Sequence, residues 1–191
     1  MSKRIAFAVI IAAGFVLAVR PGMAAIDVKM NFDKTFDFTK AKTWGWSVGV
    51  GDVVAGRTPK DDPQEIRKRA EPVIVEEVAA QLPARGLKSA NDAPDLTLRY
   101  YLLLTVGDQM QEMGQFVPAV VDWGLPLFAP ETTSYEVIQK GSLVFDFSAK
   151  GLVVYRSVAE AKIKMDGDPN YREKLLRDTV TASLKKYPPK K

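Results

Sequence analysis

The groups able to do chemistry in this chain are carboxylates, lysines and hydroxyls, because it contains neither histidine nor cysteine. That absence excludes a Ser-His-Asp triad, a cysteine nucleophile, a thiol redox pair, a c-type haem attachment and a typical zinc site. What remains is carboxylate acid–base work, Ser-Lys catalysis, oxygen-ligated Ca²⁺ or Mg²⁺, or no chemistry at all. For a hydrolase the candidates are Asp146, Asp95 and Lys150. A paired acid and base needs two carboxyls in one cleft with differing environments, which spacing alone does not give, so no residue is assigned as catalytic.

The other candidates have plainer readings. Asp166 and Asp168 are spaced like the opening of a calcium loop, but the glycine and distal glutamate of that pattern are missing at the required offsets. They are expected to cap a helix, as are Asp61 and Asp62. Glu76 and Glu77 belong to the solvated face of a helix, and Asp146 falls on the polar side of a strand, where it could pair with a lysine. Gly45, Gly49, Gly51 and Gly56 lack the helix and the Gly-Lys-Ser/Thr of a phosphate loop. No metal and no cofactor is expected. Trp44, Trp46, Tyr100, Tyr101 and Trp123 could stack on sugars or peptide, but aromatics at strand positions usually fill core.

The elements that must position these residues follow from period and punctuation. Ile26, Val28, Met30 and Phe32 alternate with polar residues, the period of a half-buried strand, and Thr43 to Val48 resumes as extended chain. Residues 49 to 63, rich in Gly, Pro and Asp, are expected to form a surface loop. Asp62 then caps a helix opening at Pro63 and running to about Leu82, with Pro72 expected to kink or split it and Gly86 to stop the chain beyond. Asp95 to Val106 is the clearest strand. Tyr135 to Phe147 and Leu152 to Lys164 flank a tight turn in which Gly151 takes positive φ. Asp168 and Pro169 open a last amphipathic helix through Tyr171, Leu175, Leu176, Val180, Leu184 and Tyr187, and Pro188 and Pro189 stop it. This order gives an α+β domain: an antiparallel sheet of about five strands with two amphipathic helices packed on one face.

The N-terminus has the order of a secretory signal: Lys3 and Arg4, an apolar run from Ile5 to Val19, then Arg20, Pro21 and the small residues Gly22 to Ala25. The run is shorter than the roughly twenty residues a spanning helix needs. Cleavage is expected after Ala24, with Ala25 as the alternative, leaving residues 25–191 as one domain; an uncleaved anchor is the competing possibility. Residues 1–24 carry three basic residues and no acid, so 27 basic residues become 24 against 23 acids and the net charge falls from +4 to +1. Nothing then calls for nucleic acid, which needs clustered positive charge. The expected location is the periplasm or outside the cell, where membrane association without spanning is possible. No cysteine follows the apolar run, which excludes a lipid-anchored lipoprotein.

Four stretches appear in order: Phe36 to Trp46; Ala93-Pro94-Asp95-Leu96 leading into Arg99-Tyr100-Tyr101; Gly141 to Phe147; and Leu152 to Ala159, with a closing Lys186-Tyr187-Pro188-Pro189. Together they resemble the bacterial envelope family called domain of unknown function 4136, over about residues 28 to 189. The resemblance implies a signal-bearing α+β envelope domain and brings no catalytic residue with it. The lipoprotein cysteine of many members is absent, and Pro83 and the long 107–133 stretch are departures.

That stretch holds Met110, Met113, Phe116, Trp123 and Phe128 among other apolar residues, broken by Pro118, Pro126 and Pro130. It is either an apolar flap that contacts a ligand, a partner or the membrane surface, or a cover that completes the core. The leading expectation is a non-catalytic envelope domain that binds a protein or an apolar ligand through its sheet edge and residues 107–133, with those five side chains as contacts. A hydrolase using carboxylates or Ser-Lys beneath the 107–133 flap is the alternative, and a purely structural module a third.

Overall fold

The structure, a computed structural model, describes residues 26–55, 62–104, 140–163 and 168–190. The signal segment, Asp61, Asp166 and the whole 107–133 stretch lie outside the described residues.

Strand β1 spans Ile26–Phe32, β2 Thr43–Ala55, β3 Lys88–Ser89, β4 Leu96–Leu104, β5 Lys140–Ala149 and β6 Leu152–Lys162; helix α1 spans Pro63–Gln81 and α2 Pro169–Leu184. The strands form one sheet in the order β1-β6-β5-β4-β2-β3. β1, β6, β5 and β4 pair antiparallel. β2 is parallel to both β4 and β3. The α+β class holds, but the sheet has six strands and is mixed rather than antiparallel. The reason is the crossover: the chain leaves β2, packs α1 against one face and returns, and such a helical connection sets the next strand parallel.

The expected surface loop over residues 49–63 is also corrected in part, because β2 continues to Ala55. Gly49 and Val50 take positive φ, 84° and 53°. The pairing register with β4 shifts between Trp46 and Gly51, and Gly51 to Ala55 then pair with Tyr100 to Leu104. A β-bulge therefore absorbs the glycines that composition alone assigns to a turn. Gly51 is required here, since a Cβ on it would sit 2.3 Å from the Tyr100 ring.

Both helices start as their capping residues dictate. The Asp62 carboxylate accepts from Gln64 N and that of Asp168 from Asn170 N, each followed by a proline in the first turn. Helix α1 runs unbroken through Pro72. Pro72 and Lys68 are exposed, so water can satisfy the Lys68 carbonyl that the proline leaves without an amide partner. Lys150 and Gly151 both take positive φ in the β5–β6 turn, 51° and 81°, which suits a tight hairpin.

The two helices share one face of the sheet. Ile74, Val78 and Leu82 from α1 and Val180 and Leu184 from α2 cluster with Leu96, Leu98, Tyr100, Leu143, Phe145, Phe147 and Tyr155. At one end Phe147 stacks on Tyr187 at 4.7 Å, and Phe38 and Tyr155 meet Tyr187 edge-on. Arg177 ties α2 to α1 through Glu76 at 2.8 Å.

Candidate functional site

Among the described residues, the second face of the sheet carries neither helix, and its residues alternate with those of the core. On β4 they are Arg99, Tyr101 and Leu103; on β5 Val144 and Asp146; on β6 Arg156 and Val158; on β2 Asp52 and Val54. Tyr101, Leu103, Val144 and Val158 form a separate buried cluster with Val54 packed against it.

A row of charge crosses this face. In register, Arg99 lies opposite Asp146, Asp146 opposite Arg156, and Arg156 opposite Asn31. The Arg156 guanidinium grips Asp146 as a fork, Nε to Oδ1 and Nη2 to Oδ2, each 2.5 Å. Both residues are buried, at 1% and 2% exposure. Burial pushes the Asp146 carboxyl up, while the hydrogen bonds and charge of Arg156 oppose that. A carboxylate with both oxygens held this way is poorly placed to shuttle a proton, and the geometry is that of a desolvated structural ion pair.

The next pair along is wetter. Arg99 Nη2 meets Asp52 Oδ2 at 2.6 Å with side-chain exposures of 38% and 47%, so solvent screens it. The same guanidinium lies 5.5 Å from the Tyr101 ring centroid. Arg99 Nε is buried without a hydrogen-bond partner. Burial raises the Tyr101 phenol, with the Asp146 charge acting in the same direction. The face thus combines an apolar patch, one locked ion pair and one open one. The connection that leaves β4 at Leu104 and re-enters at Lys140 starts and ends on its two central strands.

The other sequence candidates are placed apart from it. Asp95 accepts from Lys42 N at 2.8 Å and from Thr43 N and Thr43 Oγ1 at 2.9 Å, while Asp95 N donates back to Thr43 Oγ1. These bonds, led by that from the Lys42 amide, hold its carboxyl below the usual carboxylate range and splice the start of β2 to the start of β4. Lys150 sits in the β5–β6 turn. Asp95, Asp146 and Lys150 therefore occupy a strand splice, a mid-sheet ion pair and a turn rather than one cleft. Among the described residues, no group of three or more Asp or Glu is arranged to hold a metal ion. Trp44, Tyr100 and Tyr101 are buried at 5% exposure or less, as strand aromatics usually are; Trp123 lies outside the described residues.

Alternation puts Asp146 on the polar side of its strand but does not point to Arg156, Arg99 or Asp52. Spacing comes within one residue of it: a regular two-residue turn at Lys150-Gly151 sets Asp146 opposite Tyr155, and the register shift between Phe147 and Ser148 brings Arg156 there instead.

A family model described as "Domain of unknown function (DUF4136)" matches residues 28–189. No curated protein matches the chain. Among solved structures, a DUF4136 family protein from Bacteroides thetaiotaomicron is similar at 17% identity and TM-score 0.48, over 85% of this chain and 96% of that one. A PDZ domain protein from Parabacteroides distasonis is similar at 16% identity and TM-score 0.50, over 87% of this chain. This chain spans only 37% of the length of that second protein.

Proposed function

This chain belongs to the DUF4136 family, and we propose that it is an exported, non-catalytic binding module of the cell envelope that recognises a protein or an apolar ligand. The observation that carries the proposal is what the candidate catalytic groups do. The Asp146 carboxylate is locked by Arg156 beneath the helix-free face, and that of Asp95 is consumed by amides and a hydroxyl. Two of the carboxylates open to catalysis are thus used to hold the sheet. Export rests on the order of basic, apolar and small residues in positions 1–25.

The recognition surface in this proposal combines the 107–133 stretch, which falls within the connection between the two central strands, with the exposed rim of that face at Asp52 and Arg99. An apolar patch rimmed by polar groups is the usual form of such a surface.

The test is in-cell crosslinking of the tagged protein, comparing wild type with a deletion of residues 107–133, alongside fractionation and N-terminal sequencing. Expected are a mature chain beginning at Ala25 in the envelope fraction and a specific partner that the deletion loses. Capture of the same partners by both proteins would overturn the role of that stretch. An unprocessed chain in the cytoplasm would overturn the location.

A further inference from the structure

Beyond Trp44, among the described residues, β2 pairs only with β4, so the side towards β3 is open from Trp46 onward. The open stretch from Trp46 to Ala55 is rich in valine and carries a single charge, Asp52. Val48 on it is 96% exposed. Strongly β-forming, weakly charged, open edges are templates for pairing with another chain.

The stretch is not left straight. Val50 holds φ 53°, a conformation that a β-branched residue takes only under constraint. The constraint is visible. Arg67 on α1 donates from Nη2 to Gly49 O at 2.8 Å and to Gly51 O at 2.5 Å, on either side of Val50. Glu71 accepts from Arg67 Nε at 3.0 Å and from the Tyr100 hydroxyl at 2.7 Å. The Tyr100 ring in turn lies over Gly51, where no side chain fits. Three side chains from a helix and a central strand therefore brace two carbonyls of the bulge and hold the edge bent.

We infer that the Arg67-Glu71-Tyr100 brace is a guard against self-pairing: it keeps the β2 edge of one copy from adding, strand to strand, onto the β2 edge of a second copy. The partner is another copy because the apolar, nearly uncharged stretch is complementary to itself, which is what a two-fold interface requires. Bent by the bulge and with the Gly49 and Gly51 carbonyls occupied, the edge cannot offer a straight ladder. At the opposite edge Lys186 Nζ takes the Val28 carbonyl at 2.9 Å, a lighter instance of the same device.

The chain has no cysteine, so a single introduced one reports cleanly. Val48→Cys is compared with Val48→Cys combined with Arg67→Ala, by disulfide trapping and by light-scattering mass across a concentration series. The expected result is one chain's mass and little trapping for Val48→Cys, and a mass rising towards twice that value, with trapped dimer, once Arg67 is removed. Val48→Lys placed with Arg67→Ala restores the single-chain mass, because a charge on the edge opposes pairing whereas it cannot rescue an unfolded chain. Should Arg67→Ala fail to fold by circular dichroism, Glu71→Gln, which keeps the Tyr100 contact and loosens Arg67, takes its place and is expected to speed trapping. Equal trapping with and without the brace, a mass that stays at one chain, or association that Val48→Lys leaves untouched overturns the inference.

Discussion

The two faces of this sheet solve the same burial problem with different materials. The helix-covered face is closed by aliphatic and aromatic side chains, with Ile74, Val78, Leu98, Phe145 and Leu184 at 1% exposure or less. The helix-free face is just as buried at its centre, with Val144 and Val158 at 0% and 2% and the Asp146–Arg156 pair beside them. Apolar packing is forgiving, because a smaller side chain costs only its own transfer and cavity terms. A buried ion pair is not, since removal of one partner strands the other charge in a medium that cannot solvate it. The helix-covered face should therefore answer to volume, and the helix-free face to charge balance.

The largest expected effect comes from alkali and falls on the helix-covered face. Burial raises the phenols of Tyr100, Tyr155 and Tyr187 well above their ordinary range. In the unfolded chain these groups ionise near pH 10, so each further pH unit removes about 1.4 kcal/mol of stability per tyrosine that stays protonated when folded. The contribution is fully present below pH 10 and is lost as pH rises from there towards the folded-state values. Unfolding by circular dichroism and the tyrosinate absorbance should then rise together above about pH 10. Tyrosines that ionise near pH 10 in a protein that keeps its fold would refute the burial of these phenols.

Next in size is Asp146→Ala, expected to cost about 3–5 kcal/mol in urea unfolding because Arg156 is left buried and unpaired. The sharper version replaces both partners, Asp146→Leu with Arg156→Met, and should recover most of that loss. If the double variant is as unstable as the single one, shape rather than charge balance governs this face, and the contrast fails. Leu98→Ala, on the helix-covered face at 0% exposure, should cost about 3 kcal/mol.

How much of this could be read from the chain depends on how local each cause is. Asp62 and Asp168 at their caps, Gly151 in its turn, and the alternation of Leu96 to Leu104 act within a few residues, and each stands where spacing put it. The continuation of β2 to Ala55 was not legible because its cause lies elsewhere: Tyr100 over Gly51 and Arg67 on the Gly49 and Gly51 carbonyls convert a glycine-rich turn signal into a bulge. The parallel β2–β4 pairing likewise follows from where α1 docks. For the site, Asp146 was legible as a polar strand residue. Its partner Arg156 needed the hairpin register as well, and Arg99 with Asp52 needed the parallel pairing that local pattern does not encode.

The smallest effect bears on the same face and isolates desolvation from sequence. Asp52–Arg99 and Asp146–Arg156 are both arginine–aspartate pairs between adjacent strands, with contacts of 2.6 and 2.5 Å; they differ in exposure and in having one bond against two. Asp52→Ala should cost less than about 1 kcal/mol, since water screens the pair and resolvates Arg99 once it is broken. Raising the salt concentration should shrink that cost further while leaving the Asp146→Ala loss nearly unchanged, because a buried pair is screened far less. Equal costs for the two substitutions, or equal salt dependence, would mean that the row behaves as one coupled network, with Arg99 carrying charge from the rim into the buried pair.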